Sequence, residues 1–332
     1  MGLAAFRKIQ FGKETTHGTK ATATGIWLGT LSMRETPSFT MPEEDRGSLS
    51  KYHRVIKAAT LAELRREGTL TFEQCVILFL MGIKGGVTPT QLDSETEPPH
   101  AYEWDFTPNL TEKNNPDSFT IEYGDDVQAF YSTYCLARRL EISGAIDEPL
   151  QLRADLFGQK VEKAEFTAGL SMPTVEDVLA HRVKLYIEDS GTALDGATAK
   201  AKTLSEFTWT LDTGFAPKKF IGGEVFFEDH SEQKRNVELE MVLELNSQVA
   251  GDEFNAFKNQ TKRFIRLEVE GSTIVATYNK KLTLDLCGIY TDWDTLAERD
   301  GTDVVTVRLT SVYDPTWGKE WLVKVVNDQS GV

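Results

Sequence analysis

What this chain has little of narrows its function first. Its 332 residues hold three cysteines and five histidines. Cys75, Cys135 and Cys287 are odd in number and far apart, which argues against a disulfide framework and for synthesis in a reducing cytoplasm. His17, His53, His100, His181 and His230 stand at no metal-ligand spacing to one another or to a cysteine, so no zinc pattern exists. No apolar run reaches the roughly 18 residues of a membrane-spanning helix. The opening Met1 to Lys8 lacks an apolar core before a small-residue cleavage site, so a signal peptide is not expected.

Catalytic motifs are equally scarce. Gly12-Lys13-Glu14 and Gly318-Lys319-Glu320 lack both the hydroxyl residue and the upstream glycine of a phosphate loop. No Gly-x-Gly-x-x-Gly and no Gly-x-Ser-x-Gly occurs. Ser48-Leu49-Ser50-Lys51 matches Ser-x-x-Lys but sits in a charged loop without its partner motifs. Asp292-Trp293-Asp294 opens like a calcium loop, yet Leu296 and Ala297 stand where a ligand and a glycine are needed. Asp125-Asp126 directly follows Gly124 and reads as a hairpin turn rather than a catalytic pair. No enzyme, cofactor or metal site is expected.

Basic residues are outnumbered: 36 Lys and Arg against 51 Asp and Glu, a formal charge of −15. Proteins that grip nucleic acid neutralise phosphates with Lys and Arg, so this one is not expected to. The same charge suits plain solubility, or a surface that nucleic acid passes without sticking.

What is present is an order of elements written twice. Arg138-Arg139-Leu140-Glu141-Ile142-Ser143-Gly144 has a counterpart in Lys280-Lys281-Leu282-Thr283-Leu284-Asp285-Leu286-Cys287-Gly288. Each leads through an acidic turn to an alternating strand, Leu150 to Phe157 and Asp303 to Tyr313. Upstream, Thr30 to Pro37 matches Phe207 to Gly214, and each precedes a long charged stretch. Internal repeats belong to ring and array builders more often than to enzymes.

The pattern divides the chain into a polar arm (1–25), a first module (26–166), a linker (167–182), a second module (183–326) and a tail (327–332). Alternation marks antiparallel strands with one dry and one wet face. Val237, Leu239, Met241, Leu243 and Leu245 share a face opposite Glu238, Glu240 and Glu244. Thr71 and Gln74 form a capping-box pattern before the apolar helix of Val76 to Met81, which reads as core. Residues 249–260 read as a second, amphipathic helix.

Phe11-Gly12-Lys13-Glu14-Thr15-Thr16-His17-Gly18-Thr19 resembles the opening of tail tube proteins of long-tailed bacteriophages. Gly85 to Thr90, Phe106 to Leu110 and Asn115 to Gly124 extend the likeness, which is strongest over residues 1–160. The chain is similar to double-module tail tube proteins of siphoviruses of thermophilic bacteria. The resemblance implies two tandem antiparallel β-sandwich or barrel modules, each with a flanking helix, related to type VI secretion tube proteins. It implies a virion structural protein, made in the host cytoplasm, whose rings stack into a hollow tube for DNA. Two modules per chain imply trimeric, pseudo-hexameric rings. Tape measure and tail terminator or tip proteins are the implied partners, with DNA in transit unbound and no membrane.

Arg65, Glu67, Glu238, Glu240, Glu244, Arg266 and Glu268 are the residues expected to face the bore. Glu43, Glu44, Asp45 and Arg46 are expected to contact the next ring. The alternative is a β-sandwich virion module that binds a host surface or a carbohydrate, although the six Trp and nine Tyr are dispersed rather than clustered.

Overall fold

The computed structural model describes residues 2–247, 249–294, 296–299 and 301–332. The protein is mainly β, 48% strand and 9% helix, with a large antiparallel sheet and two helices. The first half runs β1 (Lys8–Lys13), β2 (Gly25–Trp27), β3 (Thr30–Glu35), β4 (Ser38–Thr40), β5 (Ile56–Ala59), β6 (Ala62–Thr69) and helix α1 (Cys75–Gly82). It continues through β7 (Thr90–Gln91), β8 (Tyr102–Asp105), β9 (Phe119–Gly124), β10 (Ala129–Ala145), β11 (Gln151–Gly158) and β12 (Glu162–Ala164). The second half holds β13 (Val183–Glu188), β14 (Leu204–Asp212), β15 (Phe215–Lys218), β16 (Asp229–Glu232), β17 (Asn236–Glu244) and α2 (Phe254–Asn259). It closes with β18 (Arg263–Val275), β19 (Tyr278–Trp293), β20 (Ala297–Arg299), β21 (Thr302–Ser311) and β22 (Trp321–Asn327).

Alternation explains which way each strand turns. On β17, Val237, Leu239, Met241 and Leu243 are buried while Glu238 is exposed. Burying each apolar side chain stabilises by about 1.5–3 kcal/mol, so a one-residue slip would be costly. Helix α1 is apolar on every side and wholly buried, as an enclosed helix must be. Thr71 Oγ1 accepts the Gln74 N–H at 3.2 Å. The Gln74 side chain does not return to Thr71 as the capping box requires. Its amide donates to the Ile26 carbonyl at 2.8 Å and accepts the Leu28 N–H at 3.0 Å. The second helix is shorter than expected, because Val249–Glu253 winds as a π-turn before α2 begins.

One row of strands organises the molecule: β3–β6–β11–β10–β14–β17–β21–β19. Two long strands bend out of it into a second layer. The first half of β10 pairs with β9 and β12. The first half of β19 pairs with β18 and β22. β1 then joins β9 as β13 joins β18.

The same order of pairings thus occurs twice. An inward-facing ladder crosses the first four strands of the row as Met33–Leu64–Leu156–Ala137, with Met33 half-buried at its edge. Its counterpart crosses the last four as Trp209–Leu239–Leu309–Tyr290. Each ladder ends at a bulge, between Ala137 and Arg139 or between Tyr290 and Asp292. This fixes the correspondence: Met33 with Trp209, Leu64 with Leu239, Leu156 with Leu309.

The sequence matched the right elements in the wrong register. Thr30 to Pro37 against Phe207 to Gly214 is one residue out, which places Leu31, an inward residue, opposite outward Thr208. Lys280-Lys281 lies in the half of β19 that pairs with β18 and β22, whereas Arg138-Arg139 lies at the β10 bulge.

The termini and connection also differ from the expected arm, linker and tail. Residues 8–13 form β1, paired on both edges, with Ile9 and Phe11 in the core. In the connection, Val178 is buried and its N–H donates to the Leu70 carbonyl at 2.9 Å. Asn327 is buried and accepts the Trp104 indole N–H at 3.0 Å.

The network curls toward a closed barrel, but its register pairs contain no ring. Among the described residues, β3 pairs only with β6, and residues 289–293 of β19 pair only with β21. The row therefore has two unpaired edges.

Candidate functional site

The outward face of the row gathers five of the seven residues expected to face a bore. Arg65 and Glu67 on β6 form an ion pair at 2.8 Å. Glu240 on β17 meets Arg308 at 2.6 Å, Glu238 accepts from the Asn236 amide at 3.1 Å, and Glu244 accepts from Ser205 at 3.1 Å. Around them Arg153 approaches Glu141 at 3.3 Å and Arg34 meets Glu63 at 2.6 Å. The Arg34 hydrogen bond, helped by one from Thr36, holds the Glu63 carboxyl below its ordinary value. The face carries ion pairs within and across strands rather than an unbroken acidic wall.

Arg266 and Glu268 lie elsewhere. On β18 they alternate with Ile265, Leu267 and Val269, which enter the core from the second layer. They consequently point away from the core on its far side. Arg266 grips Asp285 at 2.7 and 2.8 Å and Asp195 at 2.9 Å. Glu268 is buried, 3.0 Å from Lys281. Both are committed to internal partners. Periodicity gave their strand face correctly but not the layer to which that strand belongs.

Two arms leave the row at equivalent points. Residues 36–61 carry the β4–β5 ribbon and residues 213–235 the β15–β16 ribbon. Glu43, Glu44, Asp45 and Arg46 sit on the first arm, where Glu44 binds Arg46 and Arg54, each at 2.6 Å, and Glu43 binds Lys51 at 2.6 Å. Asp45 is exposed.

The second arm folds back over the first half of the chain. Phe215 and Phe227 pack with Tyr134, Leu136 and Phe157 in a small separate core. Tyr134 holds a positive φ of 53° at a second irregularity of β10, between Ser132 and Cys135 where the strand pairs with β9, a conformation that needs outside support. Its N–H donates to Glu14 at 2.9 Å, its ring stacks on His17 at 4.8 Å, and its hydroxyl meets His230 Nδ1 at 3.0 Å. Burial holds the His230 imidazole below 6.5 despite the opposing pull of Asp229.

Beneath this arm lies the joint between the halves. β10 pairs with β14 from Arg139↔Asp212 to Ala145↔Glu206, with Leu140↔Leu211 and Ile142↔Trp209 facing inward. Thr213 Oγ1 donates to the Ala137 carbonyl at 2.8 Å. A last strand of one half is thus zipped to a first strand of the next, under an arm anchored by an aromatic residue. Sequence reasoning missed this joint, because alternation names a strand's buried face but not its partner.

Clefts of about 520 and 380 Å³ flank the unpaired edge of β3, lined by Leu31, Met33, Tyr123 and Met172 among others. Among the described residues, no three His, Cys, Asp or Glu side chains are grouped to hold a metal ion, and no helix is long and apolar enough to cross a membrane.

No protein-family model matches the chain. No curated protein is significantly similar to it.

Proposed function

We propose that this chain is the structural subunit of a tube, a phage tail-tube type protein built of two tandem modules. One observation carries the reading. The eight-strand row has unpaired edges on β3 and β19, and the β10–β14 joint inside the same molecule is a worked example of how such edges meet. Exposed strand edges are an aggregation hazard unless they are covered or closed into a barrel. Head-to-tail pairing of β19 with β3 of the next copy closes them, and a heterologous contact that closes makes a ring.

Two repeats per chain make three copies equivalent to six repeats. Such a ring would contain twenty-four row strands. At about 4.8 Å between strands and about 40° of tilt, the backbone circle is roughly 48 Å across, wide enough for an aqueous channel. The outward ion-paired face would line it. DNA carries about one charge per 1.7 Å, and a wall whose arginines are already paired to carboxylates offers it few free cations. Rings would stack through the tip of the first arm, Glu43 to Arg46, and the tube's end proteins and tape measure would be its other partners, made in a host cytoplasm and kept in the virion.

Electron microscopy of the purified protein over a range of concentrations tests this reading. Rings or tubes are expected. Monomers at every concentration and salt would exclude it.

A further inference from the structure

The internal joint can be carried over to the joint between copies, because the ladders fix the residue correspondence. On the first-strand side, Met33 matches Trp209, so Thr36 matches Asp212 and Phe39 matches Phe215. On the last-strand side, Ala137 matches Tyr290 and Leu156 matches Leu309, so Arg139 matches Asp292 and Leu136 matches Ile289.

We propose that Phe39 is the anchor of the subunit interface, seated on the second half of a neighbouring copy beside Ile289, Thr310 and Val312. With it, β3 pairs with β19 in the register Thr36 to Asp292, Glu35 to Trp293 and Arg34 to Asp294. The occupant is a second copy of this chain. The inference rests on the assembly reading above and adds the register and the anchoring residue to it.

Four observations favour it. Phe215 is 1% exposed, whereas Phe39 at the matching position is 51% exposed. The rest of the first arm is equally uncovered: Met41, Leu49, Val55 and Ile56 are all exposed apolar residues, more than a lone surface ribbon needs. The matching surface on the second half is open too, since Ile289, Thr310 and Val312 are only half-buried and a cleft of about 770 Å³ runs past Val312 and Tyr313. The register also puts opposite charges together, with the Arg34 guanidinium, paired with Glu63 on its own sheet, facing the exposed Asp294 carboxylate across the new strand pair.

Phe39→Asp tests the anchor. The side chain touches no core, so the purified variant should keep the wild-type melting temperature. Its assembly should need at least about tenfold more protein, the scale expected for losing an aromatic hot spot. Cysteine pairs test the register. Arg34→Cys and Asp294→Cys chains, mixed and oxidised under assembling conditions, should give a cross-linked dimer, while Ser32→Cys with Asp294→Cys should give little. If wild type assembles but Phe39→Asp assembles equally well, or the shifted cysteine pair cross-links better, the inference fails and the assembly reading stands. If wild type never assembles, both fail together.

Discussion

Phe39 and Phe215 occupy the same position in two arms, yet only Phe215 is covered, by Tyr134, Leu136, Phe157 and Phe227. Phe215→Ala removes a packed ring and should cost about 3–5 kcal/mol. Phe39→Ala should change the stability of the free chain by no more than about 0.5 kcal/mol. Thermal melts of the two variants at a concentration below assembly check the contrast. Equal losses would mean that the first arm is packed in the free molecule.

Arg66 is the odd residue of the buried face. It stands on β6 where β17 has Met241, is 2% exposed, and among the described residues meets no carboxylate. It donates to the Leu28 carbonyl at 2.8 Å and the Leu152 carbonyl at 3.3 Å, with its guanidinium 5.2 Å from the Trp27 ring. Burial pulls its pKa down to about 10. Replacing a buried charge by a packed apolar residue is often neutral or stabilising. Arg66→Met should therefore alter stability by less than about 1 kcal/mol, while Arg66→Ala, which leaves a cavity, should lose about 2–5 kcal/mol. Denaturant melts separate the two.

Acid should loosen the joint between the halves. The folded-state pKa of His230 lies below its unfolded value of 6.5, so the unfolded chain binds this proton more readily. Stability from this group is complete above about pH 6.5 and is lost as pH falls through that window toward the folded pKa. Hydrogen-exchange protection in residues 215–232, corrected for the pH dependence of the intrinsic amide rate, should fall between pH 7.5 and about 5.5 in wild type, and fall less in His230→Gln. An identical pH response in both proteins would remove His230 from the account.

Copies of a chain with a net charge of −15 repel one another before their edges meet. Salt shortens that repulsion to about 8 Å at physiological strength. Light scattering should show faster assembly as salt is raised from low values. A rate that falls with salt would point instead to attraction between copies as the controlling term.

Much of this architecture was legible because strand faces follow a period of two. The β9–β10 hairpin falls around Gly124-Asp125-Asp126 as expected, with Asp125 Oδ1 accepting the Val127 N–H at 2.9 Å and the Gln128 N–H at 3.1 Å. The buried face of β17 also follows from alternation alone. The duplication was visible as an order of elements but not as a register. A one-residue shift looks harmless in a list of apolar residues, yet it reverses every side chain. β1 was hidden among polar residues because its neighbours supply the dryness: Glu14 just beyond it is buried by Ser118, Thr120 and the Tyr134 N–H. Arg266 and Glu268 were misplaced because a charged residue facing away from the core can still be covered, here by Asp285, Asp195 and Lys281.

The mass of an isolated ring tests the central claim most directly. Native mass spectrometry should find a particle of three chains, each of 37.2 kDa, in which β19 of every copy is zipped to β3 of the next. A closed particle of two or six chains, or a chain that stays single at concentrations where its edges should meet, would contradict it.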